Sequence, residues 1–424
     1  MTSGAKKSRE KYHMRILLVN KYLYPKGGAE TYTFKLGEYL TRAGHSVQYF
    51  GMYDEKNIVS NSANQYTRNM DFHVAKAERF LYPLRIIYSF DSRKKIGRVI
   101  DSFRPDIIHM NNINFQLTPS IIDEAVKRDI PIVQTVHDLQ MLCPNHLMFS
   151  VRTKTPCEKC LNGSKLNCIA GRCIHGSLVK SIIGAAEAWL YAAKGTYAKV
   201  DKYICPSEFI ESMLLKKKRF GKQLYRGKTA AIHNYIELPE VNSDYKKDDY
   251  VLFFGRLSEE KGVDMLVRAC RALPDIRFKV AGGGPMEEAV KNIPNVEFVG
   301  FKTGAELHRL IAEAKFSVYP SIWYENCPLS ILESESFGTP VICTSLGGMP
   351  ELVEDGVTGR VIPEAEPETL AQAIEELYTD GELCRSMSEN CRIKRSEMIT
   401  LESYGKMIED IYREAIESHK NGLK

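Results

Sequence analysis

The segment Trp323-Tyr-Glu-Asn-Cys-Pro-Leu-Ser-Ile-Leu-Glu-Ser-Glu-Ser-Phe-Gly338 concentrates groups suited to a charged, hydroxyl-rich ligand. It lies between an apolar run ending at Tyr319 and another starting at Val341, and so reads as a loop and helix joining two strands. Pro328 suits the first helical turn, where its missing amide hydrogen is no loss. The amides from Leu329 through Ser330 to Ile331 would then form an anion site at the positive end of the helix dipole. Glu325 precedes the helix, with Asn326 beside it, and Glu333 sits about five residues inside, about 7 Å along the axis. That interval suits a diphosphate at the helix start and a ribose whose hydroxyls donate to Glu333. Taken alone, the segment also reads as a surface helix with solvated glutamates.

Upstream, Phe254-Gly-Arg-Leu-Ser-Glu-Glu-Lys-Gly262 places Arg256 and Lys261 after a buried strand. Arg offers a fork for phosphate oxygens and Lys a compact charge, so the pair could neutralise a leaving diphosphate. Surface pairing with Glu259 or Glu260 is the plainer reading. Gly283, within Ala281-Gly-Gly-Gly-Pro285, marks a turn that lets a backbone approach closely. Gly27 and Gly28 open a helix at another strand end and could admit a phosphate or sugar, without the full spacing of a dinucleotide site. His109 and His137 also end strands. Either could donate to a sugar hydroxyl from the opposite wall, or serve as a structural hydrogen-bonder.

Positioning these residues requires strands that end where they stand. Continuous apolar runs at 15–20, 107–109, 131–136, 202–205, 250–255, 277–281, 316–319 and 341–343 predict parallel strands buried on both faces. Helical patterns alternate with them, the first over 29–44 and ending on Gly44. The chain therefore reads as α/β, with two facing Rossmann-like domains: 14–238 with a cysteine-bearing insertion at 143–176, a charged linker at 239–249, and 250–400. Residues 401–424 form an amphipathic helix with Tyr404, Ile408, Ile411, Tyr412 and Ile416 on one side. Ile182 to Ala193, apolar but for Glu187, reads as a buried helix. Ligands of such sheets bind at the carboxyl ends of strands, which makes the cleft between the domains the expected site.

Composition narrows the partners. With 58 Lys and Arg against 53 Asp and Glu, the net charge of +5 falls short of a dedicated nucleic-acid binder. No uncharged run is long enough to cross a bilayer. The polar residues 1–13 read as a disordered leader lacking a signal-peptide core, which points to the cytoplasm, with possible contact at the inner membrane face through Lys216 to Arg219 and the apolar-basic segment 79–98. In a reducing compartment the cysteines are expected as thiols or metal ligands. Cys157, Cys160, Cys168 and Cys173, near Cys143 and His175, start with a C-x2-C pair that fits a closed structural zinc site, with no open position for catalysis. A zinc-bearing nucleic-acid module is the alternative from another class, and it leaves the glutamate pair unexplained.

The assembled pattern resembles the retaining nucleotide-sugar glycosyltransferases of family 4, which have the GT-B fold. Carrying the resemblance are Gly27-Gly28, His137-Asp138, Gly255-Arg256 with Glu260-Lys261-Gly262, Gly283-Gly284-Pro285, Glu325 with Glu333, and Pro340-Val341 with Gly347-Gly348 and Glu351. It covers the chain from Met14 to about Tyr412. The resemblance implies that Glu325 holds donor-sugar hydroxyls, Glu333 the ribose, Arg256 and Lys261 the diphosphate, the turn near Phe301 the base, and Gly28 and His137 the phosphate and sugar side. It also implies a hexosyl donor activated as a nucleotide diphosphate, a saccharide or lipid-linked acceptor, transfer without a metal or other cofactor, and a terminal helix crossing back to the first domain. Many members carry Gly-Phe-Gly where this chain has Asn326-Cys327-Pro328, and often an acidic residue at Gly283, which leaves sugar and base open. A nucleotide-sugar epimerase of the same shape is the nearer alternative.

Overall fold

The computed structural model describes residues 13–69, 82–238 and 245–422. The expected leader before His13, Arg79 to Leu81 of the basic segment, and linker residues 239–244 lie outside the described residues.

The apolar runs form two six-stranded sheets whose paired strands are all parallel. In the first, β1 (Arg15–Val19), β2 (Ser46–Phe50), β3 (Ile107–Met110), β4 (Ile132–Thr135), β5 (Lys202–Cys205) and β6 (Thr229–Ala231) lie in the order β6-β5-β4-β3-β1-β2. In the second, β7 (Val251–Phe254), β8 (Phe278–Ala281), β9 (Val296–Gly300), β10 (Phe316–Tyr319), β11 (Val341–Thr344) and β12 (Gly359–Ile362) follow the order β9-β8-β7-β10-β11-β12. Residues of β3, β4, β7, β10 and β11 are buried throughout, which is why these strands read as unbroken apolar runs. Strand order reverses between β1 and β3 and again between β7 and β10. A crevice opens at the carboxyl ends of the strands at each reversal.

The principal helices of the first half are α1 (Gly28–Arg42), α2 (Phe90–Phe103), α3 (Ser120–Lys127), α4 (Leu178–Lys194) and α5 (Glu208–Lys216). Those of the second are α6 (Val263–Ala272), α7 (Gly304–Glu313), α8 (Leu329–Ser336), α9 (Pro367–Thr379), α10 (Gly381–Lys394) and α11 (Leu401–Lys420). One face of the first sheet packs Leu17, Val19 and Ile108 against Ile96 and Ile100 of α2 and Ile121 of α3. The other face, with Ile16, Leu18, Ile107, Val133 and Ile204, is covered by α1 and by Tyr404, Ile408, Tyr412 and Ile416 of α11. The last helix of the chain thus completes the core of the first domain. Gly405 allows the close approach, since a Cβ there would strike the Tyr39 ring.

His109 does not reach the cleft. It is wholly buried, with Nδ1 2.6 Å from the Tyr412 hydroxyl and Nε2 2.8 Å from Thr135 Oγ1, and burial lowers its pKa to about 3. It anchors α11 as a neutral imidazole. The reading of Ile182 to Ala193 as buried is also corrected. α4 buries Ser181, Gly184, Ala185, Glu187 and Tyr191, and turns Ile182 and Trp189 outward. Among the described residues, no helix is long and apolar enough to cross a membrane.

Replacing Tyr412 with Phe strands one ring nitrogen of His109 in the core. Chemical denaturation should show a loss of about 1–3 kcal/mol at unchanged denaturant slope, the usual cost of an unsatisfied buried polar group. A variant as stable as the parent would refute the anchoring role.

Candidate active site

A cavity of about 810 Å³ lies between the domains, at the carboxyl ends of both sheets. The first domain contributes Gly28, Tyr32, Lys35, Asn112, His137 and Asp138, and the second Lys261, the residues from Trp323 to Ser330, and Glu333.

Glu325 is the most constrained group in it. Lys261 Nζ at 2.6 Å, Ser321 Oγ at 2.7 Å and Trp323 Nε1 at 2.7 Å all donate to its Oε1. Burial would raise the carboxyl's pKa, but the Lys261 charge and these hydrogen bonds outweigh it and hold the group below the ordinary carboxylate range. With Oε1 saturated, Oε2 is the oxygen left to accept from a ligand. The loop carrying Glu325 is pinned by a parallel bridge to Gly347. Gly347 has φ +71°, and a Cβ there would collide with the Glu325 backbone, so only glycine serves.

α8 begins one residue later than expected. Pro328 is its N-cap, with φ −68° and ψ 117°, and the Ile331 amide bonds the Pro328 carbonyl at 3.1 Å. Of the three amides assigned to an anion site, those of Leu329 and Ser330 remain, and both residues line the cavity. From behind, buried Glu335 braces α8 through Lys394 of α10 at 2.8 Å and Thr358 Oγ1 at 2.7 Å. Glu333 lines the cavity, and burial pushes its pKa up to about 7.

Lys261 is committed to Glu325, so it neutralises a buried carboxylate and does not stand as a free cation. Arg256 and Gly27 are exposed, and neither they nor Gly283 and Phe301 belong to the cavity wall. The glycine turn has a structural reason: a Cβ on Gly282 would strike the Gly255 carbonyl, and one on Gly284 the Leu257 carbonyl. The turns after β7 and β8 touch because both positions lack side chains.

On the opposite wall, His137 packs edge-on against Tyr32, with ring centroids 4.9 Å apart, and its Nε2 lies 2.9 Å from Asn111 Oδ1. Burial lowers its pKa to about 4. A neutral ring whose Nε2 donates to Asn111 leaves Nδ1 as an acceptor, so His137 is set to accept from a hydroxyl where donation was expected. Burial would raise the pKa of Asp138, yet His146, Lys21 and Asn114 hold it at about 2. Two contacts register the walls. Asn326 Nδ2 donates to the His137 carbonyl at 2.7 Å, and Glu351 accepts from the Glu208 and Phe209 amides of α5 at 2.7 and 2.6 Å and lies 2.9 Å from His233 Nε2.

Sequence reasoning missed Ser321 and Trp323 as partners of Glu325, although both stand within four residues of it. It also gave no role to Glu351, whose position facing a helix start in the other domain has no local signal. In the insertion, Cys157, Cys160, Cys168 and Cys173 are free thiols, and Cys168 shares a hydrogen bond with Cys173. Among the described residues, no group of three or more His, Cys, Asp or Glu is arranged to hold a metal ion. The insertion reaches across the cleft by a Lys154–Glu259 ion pair and by the Tyr324 hydroxyl, which donates to Glu158 at 3.3 Å.

Two parallel-sheet domains facing each other across a cleft, closed by a helix that returns to the first, define a GT-B glycosyltransferase fold. Residues 26–238 match the family Glycosyltransferase Family 4, and residues 235–394 match Glycosyl transferases group 1. The chain belongs to glycosyltransferase family 4. It is 31% identical over 188 residues to alpha-D-kanosaminyltransferase of Streptomyces kanamyceticus, covering 41% of this chain and 48% of that one. It is 28% identical over 232 residues to O-antigen chain mannosyltransferase C of Escherichia coli, covering 50% and 60%. These alignments span about half the length of the two relatives. The fold of Anabaena HepE, solved in complex with UDP, superposes with a TM-score of 0.64 at 18% identity, over 94% of this chain and 99% of that one.

Because Glu333 keeps its proton to about pH 7 when folded and loses it near 4.5 when unfolded, its contribution to stability is full below 4.5 and falls as pH rises to 7. The melting temperature of Glu333→Gln minus that of the parent should therefore climb across that window and then level. A difference that stays flat from pH 4 to 8 would contradict the buried, protonated state.

Proposed function

We propose that the protein transfers a hexosyl unit, with retention, from a nucleotide diphosphate sugar to a saccharide or lipid-linked acceptor, in the synthesis of cell-surface polysaccharide or another glycoconjugate. The observation that carries this reading is the arrangement of Glu325. Its carboxylate is kept ionised with one oxygen saturated and the other available to sugar hydroxyls, beside the amino end of α8 and in the same cavity as Glu333. The relationship to an O-antigen mannosyltransferase supports a polysaccharide setting. The UDP bound to Anabaena HepE makes a uridine diphosphate donor the first to test.

Retention by double displacement needs a free carboxylate on the far face of the sugar. Besides Glu325 and Glu333 the cavity is lined by two carboxylates: Asp138, whose two oxygens already accept from Asn114 and from the Gln140 amide, and Glu237, which is paired with Lys35 at 3.1 Å. The reading therefore favours front-face transfer. The bond from the anomeric carbon to the diphosphate oxygen breaks as the acceptor oxygen bonds to the same face, and the acceptor proton passes to the departing phosphate. The Leu329 and Ser330 amides, with Arg256 swung in from the rim, stabilise the charge that develops on the diphosphate. Lys261 acts at the Glu325 carboxylate and becomes a phosphate ligand only if donor binding breaks that pair. No metal is required in this scheme.

Glu325→Gln, Lys261→Ala and Arg256→Ala should each remain folded by circular dichroism and lower transfer from the matching donor by about tenfold or more, within the range seen when a charge-stabilising group is removed. Near-parental turnover in all three would refute the site assignment. The donor is identified by which of UDP, GDP or ADP raises the melting temperature.

A further inference from the structure

The outward side of α4 is built the wrong way round for a helix in water. Leu178, Val179, Ile182, Ala186, Trp189 and Ala193 fall on one stripe about 100° wide at helical spacing and about 22 Å long. Val179 is 65% exposed, Ile182 46% and Trp189 42%. The opposite side, which packs on the domain, buries Ser181, Gly184, Ala185, Glu187 and Tyr191. Burial on the domain therefore does not explain the apolar stripe.

At the carboxyl end of α4 sits the hairpin Lys218–Arg219 and Lys222–Gln223, tied on by Arg219 Nη2 donating to the Ala193 carbonyl at 3.0 Å. Its tip is Phe220, 92% exposed and at φ 50°, a left-handed conformation uncommon for an aromatic residue. The flanks are basic. Residues 161–200 hold five Lys or Arg and residues 216–228 hold seven, against one acidic residue, Glu187, which is buried. Lys194 and Lys199 answer Asp123, and Lys216 answers Glu158, but Lys218, Lys222 and Arg226 face solvent.

We infer that this face, the α4 stripe with the Phe220 hairpin, docks the first domain on an anionic lipid bilayer. An apolar stripe carrying a Trp, bordered by Lys and Arg and ending in a projecting Phe, is the chemistry that inserts among acyl chains while cations meet headgroup phosphates. Pairing two copies stripe to stripe would instead press two like-charged rims together. The inference goes beyond the transfer reading, since neither donor nor acceptor enters its test.

The test is co-sedimentation of the full chain with vesicles of phosphatidylcholine alone or mixed equally with phosphatidylglycerol. The parent should pellet with the mixed vesicles at low salt, be released at high salt, and stay in solution with phosphatidylcholine alone. Ile182→Glu combined with Trp189→Glu should lower the bound fraction by about fivefold or more. The chain has two tryptophans, so in Trp323→Phe the remaining Trp189 emission should shift to the blue on adding mixed vesicles. This readout serves if the double variant fails to fold. The inference is overturned if the parent ignores mixed vesicles, if a folded double variant binds like the parent, if Trp189 emission does not move, or if sedimentation velocity shows a parent dimer that the double variant dissolves.

Discussion

Taking a carboxylate out of water costs several kcal/mol unless an opposite charge and hydrogen bonds replace the solvent. Glu325 meets that requirement with three donors on a single oxygen, and much of the second domain exists to bring them there. Lys261 comes from the turn after β7, whereas Ser321 and Trp323 come from the loop after β10, the two strands flanking the reversal of strand order. Gly347 then fixes the loop from the far side. Losing one partner of such a buried pair typically costs about 3–5 kcal/mol, so the ion pair and the local loop geometry stand or fall together. What the ligand meets is a half-satisfied carboxylate on a rigid mount.

The two walls are registered by polar contacts that use backbone groups. Asn326, next to Glu325, bonds the carbonyl of His137, so the Glu325 loop of one domain is set directly against the strand end of the other. Glu351 occupies the amino end of α5, where free amides and the helix dipole favour an anion. These bonds are few and exchangeable with water, unlike the apolar seal of α11. The domains are thus permanently tethered by the terminal helix and adjustably latched along the cleft.

How far the sequence discloses this follows from what each residue depends on. Strands such as 316–319 and 341–344 show themselves because burial on both faces leaves no polar alternation, and α11 because its buried residues recur at helical spacing. Glu325 and Glu333 are legible because one precedes and the other lies within the same short helix. Lys261 could be marked as a cation near phosphate, but its partner lies 64 positions away, and only the fold shows that the charge is already engaged. Gly282 and Gly284 looked like ligand turns because a glycine needed for packing is indistinguishable from one needed for a phosphate. His109 and His137 both end strands, and nothing local tells that one is sealed beneath α11 while the other opens on the cavity. For α4 the apolar run was visible, but which side of the helix the domain would claim was not.

The position of α11 also sets an order for making the protein. The sheet face of the first domain that carries Ile16, Leu18, Ile107 and Val133 shares its cover between α1 and residues 401–420, and the latter are made only after the whole second domain has left the ribosome. At about 5–20 residues per second, the part of that face that α11 covers waits for many seconds as exposed apolar surface. The first domain therefore reaches its native core only when α11 settles onto it, after the second domain has been made.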